Sequence, residues 1–209
     1  MELSFNSILE WTKLTLRDPR MASLLAKAAN FPLQVSIMLI VVTGVLSGLM
    51  SGMISLLVPP PAADPLTDPT AATAIETLGP FTLAGLTILG NLSLTYFVYW
   101  IGQKMGGKGS LEDIAAVSAI LQIVMTVILV VQVTVRVLLP VLYFAVVMVG
   151  VYVFLRGLGH AVNVGHDFDD LGRSAGVIAL AFVASVVIAS VVFAILGIGP
   201  QMPVEGSGL

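Results

Sequence analysis

Five long stretches without a charged residue dominate the pattern of apolar and polar positions along this chain. The apolar part of each is long enough to cross a bilayer core about 30 Å thick, because a helix rises about 1.5 Å per residue. Strands of a membrane barrel would alternate apolar and polar residues over about ten positions, and these stretches do not alternate. The pattern therefore predicts an all-α, polytopic membrane domain at 31–198, with five spans at about 33–58, 79–102, 111–135, 137–156 and 174–198.

The first 30 residues have a different pattern, in which charged residues interrupt apolar positions at helical spacing. Phe5 and Leu16 fall near one helix face, and a similar face follows the break at Asp18 and Pro19. Such a pattern predicts a cytoplasmic amphipathic segment at 1–30. Two placements are open: the segment lies at the lipid headgroups, or it forms a flap that packs on the helix bundle.

Composition narrows the classes of protein to be considered. Of the 209 residues, 57% are hydrophobic and 10% are charged, whereas a soluble domain carries about 25% charged residues. The spans leave no room for a sizeable extramembrane domain that could host an enzyme. The chain contains no cysteine, which excludes disulfides, thiolate catalysis and zinc-thiolate sites.

The placement of lysine and arginine predicts the orientation, because basic residues in short connections resist translocation. Arg136 falls on one side of the five spans. All the other basic residues fall on the opposite side: Lys13, Arg17, Arg20, Lys27, Lys104, Lys108, Arg156 and Arg173. We therefore expect a multi-pass protein of the cytoplasmic (inner) membrane, with its N-terminus in the cytoplasm and an outer-side tail at 199–209.

Small residues form a ridge along the first span. Gly44, Gly48 and Gly52 recur every four residues, and Ser47 and Ser51 accompany them. Small residues at this spacing let two helix backbones approach closely, which stabilises helix pairs in lipid through van der Waals contact. The ridge predicts helix packing, either against another span of the same chain or as the seam of a homodimer.

The span interiors contain no charged residue, which disfavours a proton-coupled transporter. Polar side chains at mid-membrane are Asn91 and Gln122, and Gln132 lies nearer the outer end. Amides within spans usually form hydrogen bonds between helices. The alternative is that Asn91, Gln122 and Gln132 line the polar path of a passive channel or small-solute transporter.

The connection between the second and third spans, Gly106–Asp113, contains a helix-start signal. Ser110 is placed to cap the next helix, and Asp113 three residues later is placed to complete a capping box. The glycines lack the GxxxxGK[ST] order of a phosphate loop. We therefore expect a tight turn here and no nucleotide site.

Ionisable residues cluster between the fourth and fifth spans, at His160, His166, Asp167, Asp169 and Asp170. Their spacing matches neither an EF-hand nor a histidine pair at i and i+4. We expect a solvated acidic loop, and we assign no metal site, no cofactor and no catalytic residue to the chain.

Taken in chain order, these features resemble the Yip domain family, the Ypt/Rab-interacting type of integral membrane protein. The resemblance rests on the short N-terminal segment with Leu16–Arg20, on five spans with the N-terminus inside, on the Gly90 region, on the Gly106–Asp113 turn, and on the short loop before the fifth span. The short N-terminal segment points to the prokaryotic branch.

The function we expect is that of a non-enzymatic membrane organiser or adaptor. Its working surface would be a basic cytoplasmic face made of Lys13, Arg17, Arg20, Lys104 and Lys108. Such a face would engage a cytoplasmic protein partner or anionic lipid, and no nucleic acid is expected as a partner. The competing function is the passive channel or transporter described above.

Overall fold

The computed structural model describes residues 4–57 and 79–195, which form helices and turns without a strand. In chain order the helices are α1 (Phe5–Arg17), α2 (Pro19–Ala28), α3 (Leu33–Leu57), α4 (Pro80–Lys104), α5 (Leu111–Leu138), α6 (Pro140–His166) and α7 (Leu171–Ile195). Each of α3 to α7 is long and apolar enough to cross a membrane. The predicted all-α fold with five membrane-spanning helices is confirmed.

The helix bounds differ most from the predicted spans at the end of α6. This helix continues to His166, ten residues beyond the expected end at 156. Its last part is buried against other helices at residues such as Leu158 and Val162, and this packing stabilises the extension. The prediction that His160 and His166 lie in a loop is therefore wrong, because both residues are helical. The connection to α7 consists of Asp167–Asp170 alone.

Several helix starts follow directly from local sequence. Pro19, Pro80 and Pro140 each occupy the first turn of a helix, where a missing backbone N–H costs nothing. At α5 the predicted capping box is confirmed. The Asp113 backbone N–H donates to Ser110 Oγ at 3.1 Å, and the Ser110 backbone N–H donates to Asp113 Oδ2 at 3.1 Å.

Helix α5 lies at the centre of the bundle. Its first half is buried almost continuously from Ile114 to Val124, because α1, α2, α3, α4 and α6 all pack around it. Helix α3 packs most extensively on α4, and α7 packs more on α4 than on α6. The weak α6–α7 contact leaves a groove between these two helices.

Helices α1 and α2 form a hairpin that packs on α5 and α6. Trp11, Ala22 and Ala26 are buried on the packed side. Of the two predicted placements, the amphipathic segment therefore takes the second: it is a flap that packs on the helix bundle. Large apolar side chains remain exposed on the other side of the hairpin, at Phe5, Leu16, Met21, Leu24 and Leu25. The 58–78 connection and the predicted tail at 199–209 lie outside the described residues.

Candidate functional site

The glycine ridge of α3 faces α4. A Cβ atom added at Gly48 would fall on the backbone of Ala84, one added at Gly44 would crowd Ile88, and one added at Gly52 would crowd the ring and Cα of Pro80. The two backbones are therefore in direct contact over two helical turns. Because α4 of the same chain occupies this face, the ridge is closed to a second copy of the chain.

The two serines of the ridge lie towards α5 instead. Ser47 Oγ is 3.3 Å from Thr126 Oγ1. Ser51 is exposed and borders a cavity of about 100 Å³, which Gln132, Arg136 and Tyr143 also line. The Arg136 guanidinium lies 5.4 Å from the centroid of the Tyr143 ring, over its face.

The mid-membrane amides meet at one oxygen atom. Asn91 Nδ2 donates to Gln122 Oε1 at 3.0 Å, and Thr43 Oγ1 lies 3.1 Å from the same oxygen. This carbonyl therefore joins α3, α4 and α5. Gln132 lies ten residues farther along α5, roughly 15 Å away at about 1.5 Å per residue, and its amide packs against Gly150 of α6. Asn91 and Gln122 come together, and Gln132 stays apart from them.

At the end of the bundle that holds α1 and α2, called the basic end here, the α4–α5 turn wraps the end of α6. Helix α4 ends at Lys104, and Gly106 shortly after it has a φ of +88°, in the left-handed region that glycine adopts without strain. The Lys108 backbone N–H then donates to the His166 carbonyl at 2.9 Å. A Cβ atom added at Gly109 would fall on the Gly165 carbonyl. The glycines of this turn allow the chain to pass directly across the end of α6.

His166 fills a socket that two glycines leave open. Its side chain is fully buried, and a Cβ atom added at Gly102 or Gly107 would overlap its ring. His166 Nε2 lies 3.0 Å from the Val98 carbonyl, and a carbonyl only accepts, so Nε2 carries the proton. Phe168 stacks on the ring at a centroid distance of 5.3 Å. This histidine thus joins α4, the α4–α5 turn and α6.

Lys27 connects the N-terminal hairpin to the C-terminal end of α6, next to His166. Its Nζ lies 2.8 Å from Asp167 Oδ2 and also donates to the carbonyls of Val164 at 3.2 Å and Gly165 at 3.4 Å. These carbonyls are at the C-terminus of α6, where a cation is favoured by the helix dipole. The hairpin, the α4–α5 turn and the α6–α7 connection therefore form one interlocked surface.

The five basic residues predicted for the working surface are all exposed: Lys13, Arg17, Arg20, Lys104 and Lys108. Within residues 4–57 and 79–195, none of them makes an ion pair. The Lys104 ammonium lies 6.0 Å from the centroid of the Trp100 ring. These side chains are free to bind a negatively charged group.

The structure divides these five residues into separate groups. Lys108 lies beside His166, whereas Arg17 follows Leu16, whose carbonyl accepts a hydrogen bond from Arg156 at 3.2 Å. Arg156 is ten residues back along α6, roughly 15 Å from His166 at about 1.5 Å per residue. The basic charge is therefore spread from the hairpin to the α4–α5 turn and is not concentrated at one point.

Sequence reasoning missed His166 and Lys27 as residues that hold this surface together. The glycines around the turn carried a signal, because Gly102 and Gly107 leave room for a large side chain from elsewhere and Gly109 leaves room for a neighbouring backbone. Nothing in the spacing identified His166 as that side chain, since its partners lie some 60 residues earlier in the chain.

The family to which this chain belongs is shown by a comparison with known protein families. The family model of the Yip1 domain matches residues 13–193. This range contains the glycine ridge, the α4–α5 turn and His166, together with most of the N-terminal hairpin. No curated protein and no solved structure matches the chain.

Proposed function

Since this chain belongs to the Yip1 domain family, we propose that it is a non-enzymatic membrane organiser or adaptor whose basic surface engages an anionic partner. The observation that supports this proposal is the exposure of Lys13, Arg17, Arg20, Lys104 and Lys108 without ion pairs among the described residues. The elements that carry these residues are already packed against one another, so they do not have to become ordered when the partner binds. The partner is an acidic segment of a cytoplasmic protein or an anionic lipid surface.

The protein lies in a lipid bilayer, and in our proposal this is the cytoplasmic membrane of a prokaryote. The basic end faces the cytoplasm and the C-terminus lies outside, in agreement with the distribution of basic residues and the odd number of spans. Basic residues near a surface attract anionic groups by about 1 kcal/mol each. At physiological ionic strength this attraction is screened over about 8 Å, so binding should weaken as salt is added.

The experiment places the purified protein in phosphatidylcholine vesicles and adds two probes, phosphatidylglycerol vesicles and soluble polyglutamate. Light scattering measures vesicle association, and fluorescence anisotropy of labelled polyglutamate measures binding to the protein. We expect at least one probe to bind at low salt and to be released at high salt. A variant with Lys13, Arg17 and Arg20 changed to glutamate should bind neither probe while it unfolds at the wild-type temperature.

The matched control changes Arg136 to glutamate, because this basic residue lies at the opposite end of the bundle. It should bind the probes as the wild type does. If neither probe binds the wild type, or if binding survives reversal of the three charges on the hairpin, the adaptor proposal fails.

The same vesicles test the alternative function, that of a passive channel or small-solute transporter. In our proposal Asn91 and Gln122 hold helices together, so replacing both with leucine should change stability and leave the vesicles sealed. Flux of ions or small solutes through wild-type vesicles, abolished in that double variant, would establish the channel in place of the adaptor.

A further inference from the structure

An apolar groove of about 680 Å³ lies between α6 and α7. Phe154, Leu158 and Ile178 are among its lining residues, and Leu94 of α4 also borders it. The groove exists because Gly159, Ala175 and Ala179 present little side chain at the place where the two helices would otherwise meet. Its volume is within the range of about 300–1,000 Å³ that is usual for small-molecule sites.

Two ionisable residues of α6, Arg156 and His160, border this otherwise apolar groove. The Arg156 guanidinium is held in place by one hydrogen bond, from Nη1 to the Leu16 carbonyl at 3.2 Å. A guanidinium has five N–H donors, so the others, which have no partner among residues 4–57 and 79–195, can serve a second acceptor. His160 Nδ1 is buried and has no hydrogen-bond partner in the described part of the chain.

The charges around this border are mainly positive. Arg156, Asp18 and Arg20 are the charged residues that act on His160. Asp18 already caps α2, because its Oδ1 accepts from the Met21 backbone N–H at 3.0 Å. An anion at the border of the groove would therefore meet Arg156, which lines it, while Arg20 adds to the positive charge nearby and the Asp18 carboxylate is already engaged.

The depth of Arg156 matches the level of lipid phosphates. Helix α6 has 27 residues and is about 40 Å long, which exceeds the bilayer core by about 10 Å. Counted from Pro140, about 20 residues cross the core, and this brings the edge of the core to the stretch between Arg156 and His160. A lipid phosphate at this edge lies within reach of the Arg156 side chain.

We propose that the α6–α7 groove binds an acyl chain of an anionic phospholipid whose phosphate is held by Arg156. The acyl chain is buried among the apolar lining residues and the phosphate accepts hydrogen bonds from the guanidinium, which suits paired donation to phosphate oxygens. Arg156, which holds the phosphate in this proposal, is not one of the five basic residues of the proposed function. Failure of the groove proposal would leave the vesicle and polyglutamate results unaffected.

The experiment is native mass spectrometry of the purified protein in detergent with equal amounts of phosphatidylglycerol and phosphatidylcholine. We expect the wild type to retain one phosphatidylglycerol per chain in preference to phosphatidylcholine. Arg156→Gln should reduce that preference about fivefold, the equivalent of about 1 kcal/mol for one basic residue. Arg136→Gln, at the far end of the bundle, should leave the preference unchanged.

A second pair of variants tests the groove itself. A Cβ atom added at Gly159 or at Gly85 meets nothing within 4 Å, so at both positions a side chain begins in open space. Gly159 lines the groove, whereas Gly85 is an exposed residue of α4 outside its lining. Gly159→Leu should abolish retention of lipid, and Gly85→Leu should retain it as the wild type does.

Thermal unfolding in the same detergent shows that each variant is folded. If Arg156→Gln does not fold because α1 loses its contact, the comparison of Gly159→Leu with Gly85→Leu decides the question. Equal retention of the two lipids by the wild type, or equal retention by the two leucine variants, would overturn the proposal.

Discussion

Glycines in similar helical settings differ in what surrounds them, and this difference decides what a substitution does. Gly48 touches the backbone of α4, and Gly102 touches the ring of His166, whereas Gly85 faces open space. In each helix, replacing glycine also removes the entropic cost of glycine, which is about 1 kcal/mol relative to alanine. The sign of the net effect therefore depends on the neighbouring atoms.

Gly48→Leu should destabilise the protein, because the added side chain would have to separate two backbones that are in contact. Overpacking of this kind typically costs about 1–3 kcal/mol. Thermal unfolding in detergent measures the effect, with Gly85→Leu as the matched control that adds the same side chain at an exposed position of α4 whose Cβ would meet no neighbour within 4 Å. If the two variants unfold at the same temperature, the α3–α4 contact at Gly48 is not what holds these helices together.

The His166 socket predicts a coupling between two residues that are distant in sequence. Gly102→Ala should destabilise the wild type, because its Cβ would overlap the imidazole ring. In a His166→Ala background the same change should be neutral or stabilising by up to about 1 kcal/mol, since alanine then gains its helix propensity without a clash.

A double-mutant cycle on thermal stability measures this coupling, for which residues in contact usually give about 0.5–3 kcal/mol. Gly85→Ala is the control, because Gly85 does not contact His166 and should show no coupling. Equal effects of Gly102→Ala in both backgrounds would contradict the socket.

Among the helices, the placement of the α1–α2 hairpin is what the sequence predicted least well. Periodicity predicted an amphipathic segment, and the structure contains one, but both faces of the hairpin carry apolar residues. Small ones such as Ala22 and Ala26 are packed on the bundle, and larger ones such as Leu24 and Leu25 are exposed. A pattern of apolar positions does not say which face meets protein, because that depends on the shape of the opposing surface.

Lys27 should control how firmly this hairpin is docked, since its ammonium binds Asp167 and two carbonyls at the end of α6. Lys27→Met should weaken docking by about 0.3–1 kcal/mol, the usual range for a cation at a helix C-terminus. The chain has no cysteine, so a single cysteine at the buried position Ser23 reports opening of the hairpin through its rate of thiol labelling.

Labelling at position 23 should be faster in Lys27→Met than in the parent. Lys13→Met is the matched control, because Lys13 is exposed on the same hairpin and makes no ion pair in the described part of the chain. An unchanged labelling rate in Lys27→Met would mean that apolar packing alone docks the hairpin.

For the molecule as a whole, sequence predicted what depends on local pattern and missed what depends on contacts between distant segments. The five membrane-spanning helices and the capping box at Ser110 were predictable, because span length and capping are local properties. The extension of α6 to His166 was not, because its histidines and flanking aspartates read as a solvated loop. Burial of His166 depends on Gly102 and Gly107, and one sequence does not reveal that pairing.

Orientation in the membrane is a prediction that rests on charge placement across the whole chain. Eight of the nine basic residues fall on one side of the five spans, and only Arg136 falls on the other. Lysine and arginine in short connections stay in the cytoplasm, so the hairpin and the α4–α5 turn should be inside. With five spans, the C-terminus should then be outside.

Single cysteines test this orientation in intact cells, because the chain offers no other thiol. A membrane-impermeant maleimide should label Pro65→Cys and Ser207→Cys from outside, and it should label Lys13→Cys and Lys108→Cys only after the cells are opened. The cysteine of the α4–α5 turn is placed at Lys108 and not at the neighbouring Gly107, because a substitution at Gly107 would disturb the His166 socket. Because all four positions belong to one alternating topology, labelling of Lys108→Cys from outside would reverse the orientation and move the basic surface away from any cytoplasmic partner.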